Sequence, residues 1–270
     1  MLARLLVLLP ILLSAGAAPG LDRTPSSCLA LAADEARVQT VSFAEKAPPA
    51  SVLIRYLDHA SFAIVTDEGL LAVTDYTGLV GNPGVVPDVV TMNNAHDTHF
   101  TDLPDPRIAH VLRGWAEGGV PPRINLDLGS LMVRNVTTDL RGPFGEGARR
   151  DGNSVFVFES AGLCIVHLSH LHQVPNAAQR AAIGRVDVVM VPVDGAFTMD
   201  AAAMAGAVKA MRPGVVLPMH WFSAEGLQAF LAAMGPEYGT EIRQGADLVL
   251  TRESLPQPGR VIVLNPAPVP

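Results

Sequence analysis

The sequence predicts an α/β fold in which two mixed β-sheets pack together with helices outside. Three observations predict it. Apolar runs separated by tight turns crowd the first half of the chain, as in a strand meander. Strand-like and helix-like segments alternate through the second half. Three apolar runs also stop on a histidine: 87–92 before His96 and His99, 162–166 before His167, His170 and His172, and 215–219 before His220. Loops at strand carboxyl ends are where α/β folds place ligands, so these ends are expected to share one mouth.

Taken in order, residues 1–18 read as a secretory signal peptide. One positive charge at Arg4 precedes a short apolar core and the small-residue run Ala15 to Ala18. Residues 19–50 are small, polar and proline-punctuated, and read as a flexible leader. The domain is expected over 51–265. Its first strands are Val52 to Leu57, Ser61 to Thr66 and Leu70 to Asp75, with Asp67-Glu68-Gly69 as a turn. Ile108 to Trp115 fits a short helix or a strand. Leu131 to Val136, Ser154 to Glu159 and Leu163 to Val166 follow as strands, with 142–152 as a surface loop. Helices at 176–183, 200–211 and 224–234 then alternate with strands at 187–192 and 215–218. Asp200 and Ser223 sit where helix caps belong. Strands at 247–251 and 260–264 close the domain, and 266–270 read as a frayed tail.

The bulk numbers exclude some functions. Acidic residues outnumber basic ones 26 to 19, for a net charge of −7, and no basic block occurs. Binding to a phosphate backbone needs clustered Lys and Arg, so a nucleic-acid partner is not expected. After the signal peptide no stretch reads as membrane-spanning. An exported, periplasmic or secreted protein with a small-molecule substrate is therefore the expectation. Oligomeric state is not legible. Two cysteines are too few for a disulfide framework; Cys164 reads as a buried thiol, and a bridge to Cys28 is open but unsupported.

Tyr56-Leu57-Asp58-His59-Ala60-Ser61-Phe62, Val73-Thr74-Asp75, the His96/His99 loop, the run Pro192 to Asp200 and Pro218-Met219-His220 occur in one order. Together they resemble the metallo-β-lactamase superfamily, and within it the lactonase and N-acyl-phosphatidylethanolamine phospholipase D-like branch. The resemblance spans 52–222 and implies an αββα sandwich: two mixed β-sheets flanked by helices. It also implies a metal-dependent hydrolase.

The signature loop of that superfamily, His-x-His-x-Asp-His, is degenerate here. Its positions fall on Asn94, His96, Thr98 and His99. A third family histidine falls on Thr138, the bridging aspartate on His170, and the final histidine on His220. Asn94, Thr98 and Thr138 are thus replaced ligand positions, and Asn and Thr are poor zinc ligands beside imidazole. The resemblance leaves His96, His99, His170 and His220 as metal ligands. The expected centre holds one ion, zinc first, with iron or manganese as alternatives. A three-histidine zinc site with an open position lowers the pKa of bound water to about 7.

Ligating histidines usually give their other ring nitrogen to a carboxylate or carbonyl. Asp75 and Asp97 are the candidate partners, with His59 and His167 as hydrogen-bonded support. Asp97 is a candidate general base or direct ligand, and the Thr98 hydroxyl a candidate partner for bound water. Two rival readings stand beside the hydrolase. One is a non-catalytic metal-binding or interaction protein that keeps the fold. The other is a mononuclear iron enzyme, for which Asp97 would have to supply the carboxylate.

Overall fold

The computed structural model describes residues 26–29, 46–142 and 147–270. The expected signal peptide and most of the leader lie outside the described residues.

The first sheet begins as a meander. β1 (Val52–Asp58), β2 (Ser61–Thr66) and β3 (Leu71–Val73) pair antiparallel in sequence. The β2–β3 turn closes through the Gly69 amide on the Thr66 carbonyl, and Gly69 takes a positive φ of 96° there. β4 (Val89–Met92) and β5 (His110–Arg113) then add parallel to β3. The ambiguous run around residue 110 is therefore a half-buried edge strand.

The second sheet is larger. β6 (Asn125–Asp127), β7 (Met132–Arg141), β8 (Ala148–Ser160) and β9 (Leu163–His167) form an antiparallel run. The chain then alternates: α1 (Ala177–Ile183), β10 (Val188–Pro192), α2 (Ala201–Met211), β11 (Val215–Met219) and α3 (Ala224–Met234). β12 (Gly239–Ile242) lies at one edge of this sheet, while β13 (Asp247–Leu250) crosses to pair with β1. β14 (Arg260–Val263) returns beside β11. The orders are β13-β1-β2-β3-β4-β5 and β12-β14-β11-β10-β9-β8-β7-β6.

Period-two side chains build the layers. Ile54, Phe62 and Ile64 of the first sheet meet Phe156, Phe158, Ile165 and Met190 of the second. The alternate residues Val155, Val157, Val166, Val189 and Val216 face Met204, Val208 and Phe230 of the helices. α1, α2 and α3 all cover the eight-stranded sheet. The outer face of the six-stranded sheet packs under Tyr76, Val80, Trp115 and Val269. Asn176, Asp200 and Ser223 cap the three helices, each side chain accepting a backbone N–H three residues on. Among the described residues, no helix is long and apolar enough to cross a membrane.

Several sequence expectations are corrected. Within the loop expected at 142–152, residues 148–152 are instead the start of β8, since Ala148 pairs with Arg141 and Arg149 with Leu140. Its glycines and arginines hid a strand exposed along this stretch. Residues 266–270 are not frayed: the Val269 amide donates to the Val80 carbonyl, and Val269 is buried. The leader is tied down at both described stretches. The Ala47 amide donates to the Thr66 carbonyl, and Glu159 accepts from Ser26, Ser27 and Cys28. Cys164 is not a free thiol but forms a disulfide with Cys28 across 136 residues. The short polar edge strands β6 and β12 escaped the sequence reading because they carry little apolar pattern.

Candidate metal centre

Parallel strands bring the site together. β3 and β4 run side by side, so Asp75 and the loop 93–99 leave the first sheet at one edge. β9, β10 and β11 do the same in the second sheet, delivering His170, Asp194 and His220. The β1–β2 turn supplies His59. Four non-glycine residues here hold positive φ: His59 at 43°, Asp75 at 45°, Ser169 at 60° and His220 at 55°. Such strain gathers where surrounding structure over-determines the backbone, as at functional sites.

The centre of the site is a pair of buried rings. His99 Nδ1 lies 2.8 Å from Asp75 Oδ2, and His220 Nδ1 lies 2.9 Å from Asp194 Oδ2. Both carboxylates already act as acceptors. Asp75 Oδ2 also accepts from Asn93 Nδ2 at 2.5 Å. Asp194 accepts from the Thr198 hydroxyl at 2.6 Å and from the amides of Ala196, Phe197 and Thr198. Each Nδ1 therefore carries the proton, and each Nε2 presents a lone pair. Yet the two Nε2 atoms face one another at 3.2 Å. Two acceptors at that distance repel unless a cation or proton lies between them.

His59 completes a group of three. A ring nitrogen from each of His59, His99 and His220 lies within 4.8 Å of the others. His59 Nε2 is buried without a hydrogen-bond partner among the described residues. Its backbone carbonyl accepts from both the His220 amide and the Tyr56 hydroxyl, each at 2.7 Å. The hairpin turn is thereby fixed to the end of β11. Buried unpaired imidazole nitrogen converging with two lone pairs is the donor set of a divalent cation such as zinc, and the residues fit one.

His170 is close but differently engaged. Its ring stands edge-on to His99 and His220, with centroids 4.9 and 5.0 Å away. Its Nδ1 is 2.7 Å from His172 Nε2. His96 is exposed, stacks on His170 at 6.0 Å, and contacts Thr98 through Nδ1. His167 is fully buried and donates through Nε2 to the Ala60 carbonyl, leaving Nδ1 for the Ser169 hydroxyl. Asn94 is buried in the site wall, and Thr98 lines it. Asp97 is exposed and outside that wall. Thr138, buried, accepts from Asn153 Nδ2, whose oxygen accepts from the His170 amide.

Proton affinities follow from burial. Burial, then the His220 and His96 rings, holds His99 well below the ordinary histidine value. His59 falls to about 4 by burial, then by His220 and His99. His170 is pushed down by burial and then by His99, His220 and His172. Neutral imidazole is the form that ligates metal. Burial raises Asp75 to about 7, against the pull of His167 and His220. Burial would also raise Asp194, but its hydrogen bonds from His220, Thr198 and the loop amides outweigh this and hold it below the carboxylate range.

A cavity of about 680 Å³ opens over the centre. His96, His170 and His220 form its floor side, and Leu140, Phe197 and Phe222 give it apolar walls. Phe197 and Phe222 meet edge-to-face with centroids 5.6 Å apart, and both are largely exposed. The sequence reading missed Asp194 as a site residue. Its position after the parallel strand next to β11, before Gly195, was the available signal. It also placed His59 outside the ligand group and His170 inside it.

Two sheets with parallel ends meeting over paired, carboxylate-backed histidines define a metallo-β-lactamase-type protein. Residues 53–220 match the model of the beta-lactamase superfamily domain, and the chain belongs to that superfamily. Over 191 residues it is 26% identical to a metal-dependent hydrolase of Carboxydothermus hydrogenoformans, covering 62% of this chain and 84% of that protein. It is also similar to a solved Thermotoga maritima protein assigned to the zinc-dependent hydrolases of the metallo-β-lactamase superfamily. That match has 25% identity and a TM-score of 0.58, over 79% of this chain and 98% of the other. A metallo-hydrolase of Ignicoccus hospitalis shares the fold at 14% identity, with a TM-score of 0.54 over 80% of this chain and 96% of that one.

Proposed function

We propose that this chain is an exported metal-dependent hydrolase holding one cation, zinc in first place, among His59, His99 and His220. Its substrate is a small molecule with an ester, lactone, amide or phosphodiester bond. One observation carries the reading: two Nε2 lone pairs confront each other at 3.2 Å while each ring's Nδ1 is committed to a carboxylate.

A zinc ion bound by imidazoles supplies Lewis acidity and activates water near neutral pH. The chain's own residues prepare that chemistry. Asp75 and Asp194 fix the tautomer of their histidines and set two carboxylates beside the divalent charge. Tyr56 and the His220 amide hold the His59 turn in place. Asn93 orients Asp75, and the 196–198 amides orient Asp194. The apolar walls at Leu140, Phe197 and Phe222 seat the non-reacting part of a substrate.

Loss of the ligand positions at Asn94, Thr98 and Thr138 favours one ion over two. Imidazole ligation suits iron as well as zinc, but the facial iron site needs a directly bound carboxylate. Asp75 and Asp194 instead contact histidine Nδ1 atoms, and Asp97 is exposed. Export is supported by the form of residues 1–18 and by the Cys28–Cys164 disulfide, since such bonds persist in oxidising compartments.

Elemental analysis of the purified chain, followed by a panel of ester, lactone, amide and phosphodiester substrates, tests this. The expected result is one equivalent of zinc, removed by chelation, with turnover lost and regained alongside it. Zinc without turnover on any of the four bond types would point to a binding protein instead. A chain that takes up no cation refutes the centre.

A further inference from the structure

His170 occupies the place where the resemblance puts a bridging ligand, but its hydrogen bonds assign it another task. The Arg141 backbone amide donates to His172 Nδ1 at 2.7 Å. A nitrogen that accepts from an N–H carries no proton, so neutral His172 holds its proton on Nε2. That Nε2 is 2.7 Å from His170 Nδ1, and with its proton committed it is the donor. His170 Nδ1 is then a lone pair already in use, and the His170 proton resides on Nε2. A protonated Nε2 cannot ligate a cation.

Five further hydrogen bonds hold this chain of donors. Arg141 Nη2 donates to the carbonyls of Ala196, Phe197 and Thr198, at 3.3, 3.3 and 2.7 Å, tying the end of β7 to the loop that supports Asp194. Asn153 Oδ1 accepts from the His170 amide at 3.3 Å. Thr138 Oγ1 accepts from Asn153 Nδ2 at 2.7 Å, which sets the orientation of that amide. A residue that lost metal ligation at 138 thus anchors the backbone of the residue that replaced the bridge. His170 lines the cavity beside His220.

We propose that His170 is a fixed hydrogen-bond donor of this site, presenting Nε2–H to the oxygen of the carbonyl or phosphoryl group under attack, with Arg141 and His172 as positioning residues. The inference rests on the metal reading above for the location of the reacting group. A preorganised donor aimed at developing negative charge is among the largest single contributions to hydrolytic catalysis. No proton is transferred; the donor strengthens its bond as charge builds on the oxygen.

The test uses the full chain labelled with ¹⁵N-histidine. In metal-free protein, ring ¹⁵N–¹H correlations should show both His170 and His172 as Nε2-protonated neutral tautomers. With ¹¹³Cd added, couplings should appear at His59, His99 and His220 and not at His170. Acetate, a small carboxylate probe, should then shift the His170 Nε2–H proton in a saturable manner. His172→Phe should weaken acetate binding about tenfold at unchanged cadmium stoichiometry, and His172→Gln, which keeps a donor, should restore most of it. An Nδ1–H tautomer at His170, a cadmium coupling there, or no acetate-dependent shift each overturns the proposal. Missing couplings at 59, 99 and 220 would overturn the metal reading alone, because the tautomers are read without metal.

Discussion

His99 and His220 are separated by 121 residues, yet their Nε2 atoms sit 3.2 Å apart with a buried carboxylate behind each ring. Asp75 and His99 are fully buried, and the side chains of His220 and Asp194 are 2% and 1% exposed. A contact between two acceptors inside a protein is costly unless a positive charge occupies the gap.

His99→Ala and His220→Ala should each abolish stoichiometric metal uptake, measured by elemental analysis after dialysis against micromolar zinc. His96→Ala should retain it, because His96 is exposed and contacts Thr98. Full zinc content in both of the first two variants would sink the centre.

Asp194→Asn removes charge and an acceptor behind His220. Loss of such a supporting carboxylate typically costs about 10–100-fold in metal affinity, which competition with a chromophoric chelator would read. Asp194→Ala should in addition cost about 3 kcal/mol of stability, since the loop amides and the Thr198 hydroxyl lose their acceptor. A urea midpoint equal to that of the native chain would show that the loop finds other partners.

Breaking the Cys28–Cys164 bond frees the chain over 136 residues. Removal of a native disulfide commonly costs about 2–5 kcal/mol. The Cys28→Ser, Cys164→Ala double variant should therefore unfold at clearly lower urea than the oxidised protein. Identical midpoints would mean that the Glu159 hydrogen bonds to Ser26 and Ser27 hold the segment unaided.

The chelated protein should lose stability as pH falls from 7 toward 4. His59 drops from 6.5 to about 4 on folding, and burial also lowers His99, His167, His170 and His172. In that window the unfolded chain binds protons that the folded one refuses, so acid favours unfolding; well above 6.5 their effect on the slope vanishes. Asp75 works in the opposite sense. Raised from 3.8 to about 7, it binds a proton in the folded state first and offsets part of the loss. Five depressed histidines outweigh one raised aspartate. Urea midpoints at pH 7.5, 6 and 5 should decline in that order, and a flat or rising series would contradict the burial of these rings.

Much of this architecture is written locally. The runs at 163–166, 188–192 and 215–218 are apolar on both faces because each strand lies between the other sheet and the helices, and burial on two sides leaves an unbroken signal. Asp200 and Ser223 announced their helices because a cap is satisfied within three residues of chain. The same patterning, with the run 87–92, locates strand ends just before His99, His170 and His220, and the resemblance implies that these ends share a site. What the chain order could not settle is which nitrogen faces which. Whether His59 or His170 joins His99 and His220 depends on the His59 carbonyl meeting the His220 amide, and on the Arg141 amide at the end of β7 fixing the His172 ring that contacts His170. The Cys28–Cys164 bond, the Asp194 support and the docking of Val269 on Val80 likewise join segments far apart in sequence. Local patterning determines which residues are buried and where strands stop; only the packing of two sheets face to face decides which buried polar atoms become partners.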